Sequence, residues 1–316
     1  MADVAARARM SAGAAELSRM SDVLWRWPRL LLLALIVPPL LWLGIVYLGS
    51  LFTLLAHSFF SIDEFSGLVK YELTLKTYAE LFRASNFDIL VRTILMASAV
   101  TVAAAAVAFP IAYFAARHAR GRWKAAFYIG VMLPLWSSYL VRVYSWKLIL
   151  AKEGILNWVF EKLRLTWLLE AYLSIPGIGG NSLSVSWTGT FLVFLYIWLP
   201  FMILPVQAAL ERVPRSILEA SGDLGARPGQ TVRNVVLPLA LPGVAAGSIF
   251  TFSLTMGDYI IPQIVGTSAR MIGQAVYQFQ GTAGNIPLAA AFAVVPVVVM
   301  GVYLALARRA GAFDAL

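Results

Sequence analysis

The 316-residue chain is 60% hydrophobic and 13% charged, with a mean hydropathy of +0.78, too apolar for a protein that must hide its oily surface from water. Its net charge of +9 calls for no nucleic-acid partner, because a basic excess in a membrane protein collects in the loops on one side. With no Cys it has no disulfide, thiolate metal ligand or cysteine nucleophile, and redox chemistry leaves its compartment open.

In chain order, residues 1–29 carry five Arg and lead into an apolar run over 30–55. That run is longer than a signal-peptide core and has no small-residue cleavage site behind it, so it reads as a retained span. Further runs at 94–116, 125–150, 187–210, 241–261 and 286–307 each match the roughly 20 residues that cross a bilayer. Six spans make an all-α integral membrane protein. Pro38, Pro39, Pro110, Pro134, Pro200, Pro205 and Pro296 lie inside or at the edge of these runs and predict kinked helices whose freed backbone groups are met by neighbours.

Alternate segments fall on alternate sides. With the N-terminus lie Arg7, Arg9, Arg19, Arg26 and Arg29, then Arg117, Arg120, Arg122 and Lys124. Arg212, Arg215, Arg227, Arg233, Arg308 and Arg309 complete fifteen of the 25 basic residues. Short loops carry most weight, and 117–124 holds four bases and no acid, so both termini are expected in the cytoplasm. The opposite loops, 61–92 and 151–186, mix acids (Asp63, Glu64, Glu72, Glu80, Asp88, Glu153, Glu161, Glu170) with bases and form an external cap or docking surface. The predicted organisation is a cytoplasmic segment 1–29, one membrane domain 30–307 with a cytoplasmic loop 211–240, and a short tail 308–316.

That loop differs from the others in being polar and charged. Pro214 suits the first turn of a helix through Ser216–Ala220, and Gly225 ends it. A second short helix is expected from near Pro228 through 232–236, before Pro238 and Pro242 hand the chain to the next span. Two short helices joined at a glycine make a compact knob; a plain helix-turn-helix connector is the alternative.

The loop resembles the signature of bacterial ABC importer permeases, in which E-A-A is followed after three residues by G and after nine more by I-x-L-P. Here the positions are Glu219, Ala220, Ser221, Gly225, Val235, Leu237 and Pro238, with every interval matched and with Ser221 and Val235 as the departures. The resemblance implies the six-helix type I importer permease fold and a coupling helix seated on a cytoplasmic ATPase dimer. It also implies alternating access, a second, non-identical permease, and a periplasmic or extracellular solute-binding protein at a bacterial inner membrane. On this reading Glu219 pairs with a partner cation, small Ala220 and Ser221 allow close approach, and Gly225 makes the turn.

PLWSSYLVRVYSWKLIL in the third span and SLTMGDYIIPQIVG at the end of the fifth are similar to spermidine/putrescine-type permeases. An intramembrane acid is costly and tends to line a path. Asp258 is the one acid in a predicted span, and Tyr259 follows it. Ser248, Thr251, Thr255 and Asp258 recur every three or four residues on one helical face. Counted from Pro242, Asp258 stands 16 residues along, about 24 Å into a core of about 30 Å. External water or Arg142 could equally satisfy it. Trp136, Tyr139, Val143 and Trp146 form a second face whose rings attract ammonium groups, or simply anchor and pack the helix. Arg142 opposes a purely cationic path, so opines or other amino acid derivatives remain open.

No G-x-x-x-x-G-K-[ST] loop occurs, so ATP and Mg²⁺ belong to a separate motor chain and this chain holds no cofactor. His57 and His118 stand far apart and make no metal site, and no Ser has a His base nearby. A secondary transporter would show mid-membrane carboxylates and inverted repeats.

Overall fold

The computed structural model describes residues 28–63, 65–175 and 179–309. Arg7, Arg9, Arg19, Arg26, Glu64 and the end of the tail lie outside them. Contacts divide the chain between His57 and Ser58 into two units. The first holds α1, a helical run made of Pro28–Trp42, a π-helical stretch Leu43–Leu48 and Gly49–His57.

The second unit is built on three long helices, α3 (Ala84–Arg117), α8 (Trp187–Arg212) and α10 (Pro228–Gly257), which pack on one another. Without water to drive them together, membrane helices associate by close packing of small residues. One face of α3 supplies Ala97, Ala104, Ala108, Ala112 and Ala115, all fully buried. In α10, Gly243 and Gly247 are four residues apart and lie directly on α8. A Cβ at Gly243 would stand 2.5 Å from that of Ala209, and one at Gly247 would stand 2.7 Å from Met202 Sδ.

Between these come shorter pieces. A hairpin pairs β1 (Ser61–Ile62) with β2 (Val69–Lys70) and leads to α2 (Lys76–Leu81). In its turn, the N–H of Phe65 hydrogen-bonds Asp63 and, with Ser66 and Lys70, holds that carboxyl below its ordinary range. After α3 come α4 (Gly121–Trp136), α5 (Tyr139–Ile149), α6 (Ile155–Lys162) and α7 (Thr166–Leu173). α9 (Arg215–Asp223) joins α8 to α10, while α11 (Ile260–Ile264) and α12 (Ile272–Gln280) lead to the last helix, α13 (Ile286–Arg309). Two ends can be named by what they carry: the α9 end and the hairpin end. One apolar cluster, including Ala112, Val206, Leu210 and Val236, underlies the α9 end; two others, around Phe194 and around Phe292, fill the rest.

Among the described residues five helices are long and apolar enough to cross a membrane, and the bent pair α4–α5 is a sixth if it counts as one. The predicted third span, 125–150, falls on this pair, which breaks at Ser137–Ser138 with a 94° bend. Pro134 lies three residues before the break, and both serines are extended, with the Ser137 N–H and Oγ returning to the Pro134 carbonyl. The second helix starts at Ala84, ten residues before the predicted span, and carries the charged Asp88 and Arg92 as an i,i+4 pair at 2.5 Å in its early turns. The fifth runs unbroken from Pro228. Pro238 cannot donate to a carbonyl four residues back, and the π-helical turn Val232–Val236 precedes it, so the chain widens there rather than breaking.

Candidate functional site

At the end of α8, Val213 and Pro214 are extended, as a residue before proline and the proline itself prefer, and this stops the helix. Pro214 then sits at the cap of α9, one position before its first turn. The far end closes at Gly225, whose φ of +80° is the left-handed conformation that costs any L residue with a Cβ about 1–2 kcal/mol. The Gly225 N–H reaches the Gly222 carbonyl at 2.8 Å and the Ala226 N–H reaches that of Ser221 at 3.1 Å, the bond pair of a Schellman cap. Ser221 Oγ and Thr231 Oγ1 share a hydrogen bond of 3.0 Å, locking α9 to the start of α10. The knob is thus one helix folded against the root of a long one.

Its two faces differ. Leu218 packs on the apolar cluster beneath, whereas Glu219 and Ala220 are exposed and Leu224, at the tip, is 89% exposed. Glu219 makes no hydrogen bond or ion pair among the described residues. Further along, Val236 rather than Val235 is buried, and Leu237 and Pro238 are exposed where α10 leaves the knob.

Sequence reasoning used the basic loop 117–124 only to set orientation and missed what it holds. Arg117 donates to the carbonyls of Leu210 and Val213, both at 3.0 Å, filling acceptors that the end of α8 leaves open. Lys124 Nζ and Tyr128 OH each lie 2.9 Å from Glu211 Oε1, and Gln207 Nε2 donates to the same oxygen at 3.2 Å. The sequence signal was present in the one-turn spacing of Lys124 and Tyr128, but nothing in it pointed to Glu211.

At the hairpin end, α10 stops at Gly257 and Asp258 turns away extended, so it does not continue the predicted helical face. Thr251 and Thr255 are fully buried and bond to carbonyls of their own helix. Ser248 bonds to Tyr303. Asp258 Oδ1 accepts the N–H groups of Ile260 at 2.8 Å and Ile261 at 3.1 Å, and Oδ2 accepts the hydroxyl of Tyr139. It forms no ion pair with Arg142. Tyr259 stacks on Tyr277, Tyr139 on Trp198, and Trp146 lies against Tyr196. The 94° bend separates Trp136 from Tyr139, Val143 and Trp146, so the predicted face is reduced to its part on α5; Trp136 is 88% exposed. Arg142 Nε, one turn from Tyr139, and Trp198 Nε1 are buried with no hydrogen-bond partner among the described residues. The arrangement offers a carboxylate, stacked rings and two unspent donors.

A family described as "Binding-protein-dependent transport system inner membrane component" matches residues 108–311. The chain is 57% identical over 300 residues to the inner membrane ABC transporter permease protein YdcU of Escherichia coli K12, covering 95% of this chain and 96% of that one. It is 28% identical over 270 residues to the spermidine/putrescine transport system permease protein PotB of Salmonella typhimurium SL1344, covering 84% and 88%. Its fold is similar to a chain in the crystal structure of a bacterial alginate ABC transporter in complex with an alginate pentasaccharide-bound periplasmic protein. There the TM-score is 0.66 at 16% identity, over 94% of this chain and 98% of that one.

Proposed function

Because this chain belongs to the family of binding-protein-dependent transport system inner membrane components, and is a multi-pass inner-membrane permease subunit of an ABC importer rather than an enzyme, we propose that it forms half of a translocation path for a polyamine. Residues 211–240 dock on a cytoplasmic ATPase dimer that supplies ATP and Mg²⁺, which puts the α9 end in the cytoplasm; the basic residues of the sequence place both termini there too. The hairpin end receives a solute-binding protein, and a second, non-identical permease completes the path within the lipid.

The observation that carries the docking role is the division of α9, anchored through Leu218 and exposed through Glu219 and Ala220. A charged group with no partner among the described residues is available to one outside the chain. For the solute, support comes from Asp258 among the rings of Tyr139 and Tyr259, a setting that suits ammonium groups, together with the likeness to PotB. A second reading rests on Arg142 Nε and Trp198 Nε1: unspent donors suit a solute with acceptors, such as an amino acid derivative.

The test is ATP hydrolysis by the reconstituted complex of both permeases, motor and binding protein, titrated with spermidine, putrescine and an opine. Polyamine-loaded binding protein is expected to stimulate hydrolysis, and Glu219→Ala or Gly225→Pro to abolish the stimulation in a chain that still inserts. Variants that hydrolyse and transport like the intact protein would reduce the loop to a connector; stimulation by the opine alone would transfer the assignment to the second reading.

A further inference from the structure

Glu211 stands in the last turn of α8, three residues before the cap of α9, so it moves with the root of the knob. Its Oε1 collects Lys124 and Tyr128 from the start of α4, each at 2.9 Å, and Gln207 from its own helix. Lys124 and Tyr128 are one turn apart on one face of α4, so two contacts fix that helix in rotation as well as position. α4 continues to the break at Ser137–Ser138, and the first residue of α5 beyond it is Tyr139, whose hydroxyl holds Asp258. A continuous line of named contacts therefore runs from the knob to the aromatic cluster at the other end.

We propose that Glu211 is a positioning residue that makes the bent pair α4–α5 move as one body with the knob, passing motor-driven displacement to Tyr139 and Asp258. The inference rests on the proposed docking of the motor at α9. The clamp sets one charge opposite another, backed by a phenol, at a partly exposed boundary. Arg117 holds the same root through the carbonyls of Leu210 and Val213, but it comes from α3 and leaves α4 free. Phe127 and Val131 of α4 also pack on the apolar cluster under the root, but among the described residues the Glu211 contacts are the polar ones that connect the root to the bent pair.

The natural chain has no Cys, so Arg122→Cys on α4 and Ser216→Cys on α9 can carry a pair of spin labels without background from this subunit. In the reconstituted complex the label distance is expected to stay constant between nucleotide-free and ATP-bound states, and to spread when Glu211→Gln is added. The same variant is expected to lower solute transported per ATP hydrolysed by about fivefold, the scale of losing one partly exposed ion pair. The exchange Glu211→Lys with Lys124→Glu should restore both. Should Glu211→Gln fail to accumulate, Lys124→Met and Tyr128→Phe remove the same contacts from the α4 side. A distance that changes between states in the intact protein, or clamp variants that match it in both readouts, would overturn the proposal. A complex in which loaded binding protein never stimulates hydrolysis would instead sink the docking role, while the label distance would still report on the clamp.

Discussion

Two membrane helices in this protein end in the same way and are used differently. α8 gives way through extended Val213 and Pro214 to α9, and α10 gives way through extended Asp258 to α11. After the first break the acid that follows, Glu219, faces outward and bonds to nothing described in the chain. At the second, the acid is consumed internally by two backbone N–H groups and the Tyr139 hydroxyl. An acid without internal partners is available for docking, whereas one with several internal partners fixes the path of the chain. On the proposed docking role, the first break is where force would enter and the second a joint that it would have to reach.

Both depend on the crossing of α8 and α10, so the largest effect should come from spoiling it. Gly247→Leu would drive its Cβ to 2.7 Å from Met202 Sδ and 3.0 Å from Met202 Cα. Relief requires the helices to part, at a cost of about 3 kcal/mol, the upper range for overpacking. The thermal midpoint of the purified protein should fall, together with its level in the membrane.

Next in size, and confined to the first break, is Gly225→Pro. Proline cannot take φ +80° and has no N–H for the Gly222 carbonyl, so the Schellman cap is lost, at about 3 kcal/mol locally. Motor association and stimulated hydrolysis should vanish while the membrane level stays near that of the intact protein. That separation of folding from coupling is what distinguishes a docking knob from a structural turn.

The first break was legible in the sequence and the second was not, for a physical reason. Pro214, Gly225 and the spacing from Glu219 to Pro238 act locally, through backbone preferences each residue imposes on its neighbours. The end of α10 depends on Asp258 meeting Tyr139, 119 positions away, and a helical spacing carried past Gly257 places Asp258 on a face that no longer exists. The break in the third span was half legible: Pro134 announced a kink, but the two extended serines that turn it through 94° follow a pattern that reads as apolar helix on either side. The clamp on Glu211 was hidden because two of its three donors, Lys124 and Tyr128, are brought in from α4 by packing.

The second break can be sharpened by separating the charge of Asp258 from its shape. Asp258→Asn keeps an acceptor for the Ile260 and Ile261 N–H groups, whereas Asp258→Ala removes it and should cost about 1 kcal/mol, as for other lost caps. The Asn variant is therefore expected to melt like the intact protein and to require more polyamine for half-maximal stimulation. Equal transport by the Asn variant and the intact protein would leave Asp258 a joint and nothing more, and would remove the carboxylate from the solute path.

The smallest effect tests whether the bend divides the aromatic residues as the geometry says. Trp146 is half-buried against Tyr196 at 5.1 Å, so Trp146→Ala should cost about 2 kcal/mol, reduced from the value for a fully buried ring. Trp136, on the other limb of the bend and 88% exposed, has little packing within the chain to lose, and Trp136→Ala should change stability by less than about 0.5 kcal/mol. Thermal denaturation of the isolated subunit compares the two directly. Equal destabilisation would mean that α4 and α5 act as one straight aromatic face. A silent Trp136→Ala in the isolated subunit that weakens assembly with the second permease would instead give the exposed ring its role, as a contact the single chain leaves open.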